Sequence, residues 1–157
     1  MIHVLVAKVA SKTGVLSRVA GHFTRRGYNI KNIAACETHD PDFVHLTISI
    51  EADERDVELV INQLSRLADV IEAHDASKFP SSVERQFMIV KVGCTPNQRQ
   101  EILKIADTFS CRVVSIGEKN VIFEIADVPS NLSAAARAFE HYGILELIKT
   151  GSIIMES

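Results

Sequence analysis

Ser11-Lys12-Thr13-Gly14-Val15-Leu16 is a short polar loop with one glycine, set between an apolar run and an amphipathic one. Such a loop can hold an anion. Where a chain passes from a strand through a tight turn into a helix, the first N–H groups of the helix lack partners and point at whatever sits beside the loop. Gly14 allows the turn and the close approach of another group, and Thr13 is expected to cap the helix through its hydroxyl. Asn29, which with Ile30 heads the next apolar run, offers both a donor and an acceptor. Ser11, Gly14, Val15, Leu16, Asn29 and Ile30 therefore form a candidate site for a small molecule with a carboxylate and an amine, such as an amino acid. The same residues also fit a plain strand-to-helix turn and an asparagine that satisfies turn backbone, and composition leaves both readings open.

Other chemistry is less well supported by spacing. His39, Asp40, Asp42 and His45, with Cys36, have metal-ligating side chains. The turn Thr38-His39-Asp40-Pro41-Asp42 accounts for its own aspartates, and the spacing matches no strong ligand motif. No metal and no cofactor are expected. No G-x-S-x-G, activated cysteine or paired carboxylates can be read, so no catalytic residue is assigned and the chain is read as non-enzymatic. A phosphate site of the acylphosphatase kind would need an Arg and an Asn around the anion, but Arg18 is helical and Arg25 and Arg26 lie at a helix end. RNA binding on a sheet would need exposed aromatics on central strands; Phe43 and Phe87 are isolated and Trp is absent.

The elements that must position the loop follow from periodicity. Met1 to Lys8 reads as a strand. Val15, Leu16, Val19, Ala20 and Phe23 share one helical face, and Arg25-Arg26-Gly27 suits a helix end. Asn29 to Glu37 reads as a second strand. Phe43 to Ile50 alternates, with Val44, Leu46, Ile48 and Ile50 on one face, as a half-buried antiparallel strand does. A helix follows from Asp53 with Val57, Val60, Ile61, Leu64 and Leu67 inward, then a strand over 69–76. The order βαββαβ is the ferredoxin-like unit. Lys78-Phe79-Pro80-Ser81-Ser82 breaks the pattern, and the order then repeats: a strand over 85–94, a helix opened by Thr95-Pro96, a hairpin around 117–120, a helix capped by Ser130 or Asn131, and a last strand over 144–155. The expected fold is α+β, two tandem ferredoxin-like βαββαβ domains at 1–77 and 84–157 joined by a linker at 78–83. Units of this size bury a limited share of their surface, so a homodimer is expected.

Composition sets the outer limits. The 157 residues carry a net charge of -3 with a pI near 6.1, which gives no general pull toward nucleic acid or anionic lipid. No apolar run approaches the ~20 residues that span a bilayer. The opening residues lack the basic and small-residue features of a signal peptide. Cys36, Cys94 and Cys111 are an odd, scattered set, which suits reduced thiols and a cytoplasmic protein.

The stretch Thr13-Gly14-Val15-Leu16-Ser17-Arg18-Val19-Ala20-Gly21-His22-Phe23, continuing through Arg25-Arg26-Gly27-Tyr28-Asn29-Ile30, is close to the pattern G-V-L-x-R-(I/V)-x-G-L-F-x-x-R-G-Y-N-I. With Asp40-Pro41, Leu46-Thr47-Ile48, 63–70, 83–92 and 142–151, it makes the chain resemble the small regulatory subunits of acetohydroxyacid synthase (acetolactate synthase), which are ACT-domain proteins. The resemblance spans essentially the whole chain. It implies that the first domain is an ACT domain and that the protein is a non-catalytic partner of a large thiamine-diphosphate enzyme. Such a partner raises the enzyme's activity and confers feedback inhibition by valine or a similar branched-chain amino acid. It further implies an effector bound between the ACT domains of two chains, here by Gly14, Val15, Leu16, Asn29 and Ile30. The family usually has Asn at the place of Ser11, Leu at that of His22, Glu-Ser at that of Lys31-Asn32 and Ser-Arg at that of Val44-His45. The alternative within the same family of folds is a free-standing amino-acid-binding ACT sensor acting on another protein.

Overall fold

In the computed structural model, which describes residues 1–157, the opening apolar run is strand β1 (Ile2–Ala10) and the candidate loop leads into helix α1 (Val15–Arg25). Strands β2 (Ile30–Glu37) and β3 (Phe43–Glu51), helix α2 (Glu54–Leu64) and strand β4 (Val70–Asp75) complete a βαββαβ unit. The sheet is antiparallel with order β2-β3-β1-β4. Register explains the burial pattern: Ala7 faces Leu46, Leu5 faces Ile48 and Val9 faces Val44. Leu5, Ala7, Val9, Leu46, Ile48 and Ile50 thus share one side of the sheet, where Val15, Val19 and Phe23 of α1 and Val57, Val60 and Leu64 of α2 cover them. Full burial of each larger side chain contributes about 1.5–3 kcal/mol.

Helix α1 ends as its Arg-Arg-Gly suggests. Gly27 takes φ +76, and the N–H groups of Gly27 and Tyr28 return to the carbonyls of Thr24 and Phe23, both at 3.1 Å. This is the paired-bond helix end that a left-handed glycine allows. It sends the chain into Asn29 in a defined direction.

The second unit repeats the order: β5 (Ser82–Gly93), α3 (Arg99–Thr108), β6 (Arg112–Ile116), β7 (Asn120–Asp127), α4 (Pro129–Glu140) and β8 (Ile144–Lys149). Its sheet runs β6-β7-β5-β8, the same arrangement as the first, with Met88, Val90, Val92, Val121, Phe123 and Phe139 in its core. A closing strand, β9 (Ile153–Glu156), pairs with β5. By contacts, Met1–Val83 together with Gly151–Ser157 form one compact unit and Glu84–Thr150 the other. No helix is long and apolar enough to cross a membrane.

Three local expectations are corrected. Helix α3 begins at Arg99, because Thr95 is held in a preceding turn: its N–H and hydroxyl both donate to Gln98 Oε1 at 3.1 Å. Helix α4 begins at Pro129, where a missing N–H costs nothing, and neither Ser130 nor Asn131 caps it. Instead the Asp127 carboxylate accepts from the Val128 N–H at 2.7 Å and the Asn131 amide at 2.5 Å, and these bonds hold its pKa below the ordinary value. The last strand is not continuous. Thr150 turns its N–H and Oγ1 to the carbonyl and N–H of Phe87, at 2.9 and 3.0 Å, and the chain breaks at Gly151-Ser152 before β9.

Candidate functional site

The loop after β1 is held by backbone bonds. Ser11 N–H donates to the Asp42 carbonyl at 2.8 Å and Lys12 N–H to the Ala10 carbonyl at 2.9 Å. Val15 N–H donates to the Lys12 carbonyl at 3.2 Å. The residue at the helix cap is Gly14, at φ +81 and ψ 0, and no side chain caps α1. This corrects the expectation for Thr13: a left-handed glycine makes the turn, so the preceding hydroxyl is carried away from the first helical N–H groups. With no acidic residue in the first turn either, the N–H groups of Leu16 and Ser17 remain available to an external acceptor.

Ser11 to Ser17 and Val44 line an open hollow of about 580 Å³. Val15 is 5% exposed and belongs to the core, whereas Leu16 is 43% exposed. Val44, expected only as an inward residue of its strand, joins the hollow because that alternation turns it toward the loop, opposite Val9. Arg18 stands one turn into α1, its guanidinium on the Asp69 carboxylate through Nε at 2.8 Å and Nη2 at 2.5 Å. That pair is half exposed and contributes at most about 1 kcal/mol. Its consequence for the site is that the nearest guanidinium is already matched by an anion.

Ser11, Gly14, Val15 and Leu16 are brought together in this hollow; Asn29 and Ile30 are not. The loop lies at the end of the sheet where Ala10 faces Phe43 and Val44 faces Glu37. Ile30 faces Ile50, at the end where Ile2 faces Glu51. Within one chain the two halves of the candidate site stand at opposite ends of the sheet.

Elsewhere on this unit, Cys36 and His45 are cross-strand partners, and both line a cavity of about 700 Å³ with Lys8, His39, Asp40 and His74. No three His, Cys, Asp or Glu side chains converge in a way that could hold a metal ion. Asp40 and Asp42 serve the turn, Asp42 N–H donating to Asp40 Oδ1 at 3.0 Å.

His22 is 8% exposed on α1 and its Nε2 has no hydrogen-bond partner. Burial, then the charge of Arg26 and to a lesser degree that of Arg25, push its pKa below the ordinary 6.5, with Gln63 acting in the other direction. A base whose pKa is lower in the folded state takes up its proton more readily when unfolded, so the protein gains stability as pH rises through the interval below 6.5 and loses it as pH falls. His22→Leu is expected to raise stability by about 1 kcal/mol near neutrality and to shrink the difference between urea midpoints at pH 7.5 and pH 5.5. An unchanged pH difference would assign it to other groups.

Comparison with known proteins covers both halves of the chain. Residues 5–72 match the family profile described as the AHAS small subunit-like ACT domain, and residues 85–157 match that of the small subunit of acetolactate synthase. A probable acetolactate synthase small subunit of Archaeoglobus fulgidus is 36% identical over 155 residues, covering 99% of this chain and 96% of that protein. One of Methanothermobacter thermautotrophicus is 35% identical over 98% of this chain and 91% of its own length. The chloroplastic small subunit 2 of Arabidopsis thaliana is 33% identical over 98% of this chain, which spans 31% of that longer protein. The crystal structure of the acetolactate synthase small subunit from Thermotoga maritima superposes with a TM-score of 0.90 at 26% identity, covering 100% of this chain and 98% of that one. With the ACT profile on the unit that carries the Gly14 loop and matching proteins aligned from end to end, the chain belongs to the acetolactate synthase small subunit family.

Proposed function

We propose that this chain is a regulatory subunit that binds the large catalytic subunit of acetolactate synthase, raises its activity and confers feedback inhibition by a branched-chain amino acid, valine first among them. In this reading the ACT domain, 1–77, binds the effector and forms a homodimer, and 84–157 forms the second domain after a linker at 78–83.

The observation that carries the reading is the separation of the two half-sites. Strand β2 is an edge of its sheet, and on the helix-covered side of that edge Ile33 is 39% exposed and Leu16 of α1 is 43% exposed. Exposed edges and apolar residues beside them call for a partner. Antiparallel pairing of β2 with β2 of a second copy, about a two-fold axis, sets the start of one β2 beside the end of the other. Asn29 and Ile30 of the second copy then lie near Glu37, at the end of the sheet that carries the Gly14 loop. Two equal sites form, each with a loop from one chain and a strand start from the other. The carboxylate of the amino acid meets the N–H groups of Leu16 and Ser17, its ammonium meets the side-chain oxygen of Asn29 from the second copy, and its aliphatic part meets Leu16 and Ile30. Ser11 offers a hydroxyl at this place, one hydrogen bond where an amide would offer a donor and an acceptor. Regulation follows if the ligand binds one arrangement of the dimer better than another.

Mixing variants tests the shared site. Gly14→Val and Asn29→Ala are each expected to weaken valine binding at least tenfold by calorimetry, which removes the high-affinity sites. Mixed and allowed to exchange chains, they should recover about a quarter of the wild-type sites, because each mixed dimer has one intact site of two. No recovery after demonstrated exchange would place both half-sites in one chain.

A further inference from the structure

The residues that break the last predicted strand lie against β2. Gly151 is buried, and a Cβ there would stand 2.6 Å from Asn32 Oδ1, 3.1 Å from the Ala34 Cβ and 3.2 Å from the Ala34 nitrogen. Its φ lies outside the left-handed range that Gly14, Gly27 and Gly143 occupy. Glycine is needed at 151 for the space it leaves: all three nearest atoms belong to β2, and two of them, the Ala34 Cβ and nitrogen, cannot rotate aside as the Asn32 side chain can. Ala34 faces Thr47, on the side of the sheet away from the helices. There Ser152 is 5% exposed and Ile154 is 4% exposed. The segment is fastened at its far end, where Ser157 N–H donates to the Ser81 carbonyl at 3.2 Å and the two serine hydroxyls hydrogen-bond to each other.

This seat lies next to the effector strand's yielding point. The pairing of β2 with β3 slips register between Ile30 and Asn32, so the strand start can move without dragging the whole ladder. On the other side of the seat, one residue along, Thr150 is bonded twice to Phe87 of the second unit.

We propose that Gly151 is a positioning residue for feedback control: by seating the chain at 151 on β2, it carries a shift of the Asn29–Ile30 strand start to Thr150 and β8. The proposal rests on the effector reading given above. It assigns the coupling to a close contact that alanine disturbs, while the effector's own contacts stay in place.

Gly151→Ala tests it with two readouts that can fail separately. With the catalytic subunit, the variant is expected to activate within twofold of wild type and to bind valine by calorimetry within threefold, while the valine concentration giving half-maximal inhibition rises at least tenfold. Wild-type inhibition with the alanine in place would overturn the proposal. The second readout needs no effector: amide hydrogen exchange over 30–36 and 144–149 should quicken in Gly151→Ala and in a chain ending at Thr150, and unchanged exchange in both segments would equally overturn the proposal. Should the wild-type chain bind no valine, the effector reading fails, and the exchange experiment still decides whether the closing segment ties β2 to β8. Ala34→Gly added to Gly151→Ala reopens space at the seat and should restore much of the inhibition, which a general loss of folding would not allow.

Discussion

Phe23→Ala is expected to lower stability by about 3–5 kcal/mol, a large part of the 5–15 kcal/mol typical of a domain. Phe23 is 0% exposed in the core under α1. Its removal takes away the transfer energy of the ring and leaves a cavity that two strands and a helix cannot close without moving. The backbone consequence is specific to this site. The Phe23 carbonyl accepts from the N–H groups of Arg26 and Tyr28, both at 3.1 Å, and Tyr28 packs on the same cluster. The residue thus fixes α1 on the sheet and sets the path into Asn29. Urea denaturation should show the loss in the first unit, with valine binding weakened beyond what the unfolded fraction explains. A cost under about 1 kcal/mol would mean the helix is held by other contacts.

Gly14→Val has the second large effect, on ligand rather than fold. At φ +81 a β-branched residue is a true outlier, costing on the order of 1–2 kcal/mol or more, and its Cβ would stand 3.1 Å from Arg18 Nη1. The loop relieves this by leaving the left-handed conformation, which turns the first N–H groups of α1 away from the hollow. Since about 1.4 kcal/mol is a tenfold change in affinity, valine binding should weaken tenfold or more. Activation of the catalytic subunit without valine should persist, because the exposed loop holds no core residue except Val15. Retained affinity would move the carboxylate away from the α1 terminus.

What could be read in advance and what could not have physical causes. The doubled βαββαβ order was legible because Phe43–Glu51 alternates with period two and both helices of the first unit carry apolar stripes with period 3.6. The end of α1 was legible too, since Arg-Arg-Gly suits both the dipole and the left-handed cap. Its start was misread at Thr13, because a hydroxyl cap and a left-handed glycine are competing ways to begin a helix and the glycine sits one residue closer. The break at Gly151 was hidden between two apolar runs; its cause is a contact with Asn32 and Ala34, more than a hundred residues away in sequence. Five of the six candidate site residues, all but Ser11, lie in the one family-like motif, yet the fold separates Asn29 and Ile30 from the loop by the length of the sheet. A helix packed on the sheet carries the chain back along it, so the start of β2 lies at the end opposite the loop after β1, as the register shows.

The most direct test of the account is reconstitution. The purified chain is titrated into the cognate acetolactate synthase catalytic subunit, and acetolactate formation is followed with and without saturating valine. The account predicts a saturable rise in activity without valine and its loss when valine is added. Activity that stays flat across saturating ratios of the two chains would contradict it.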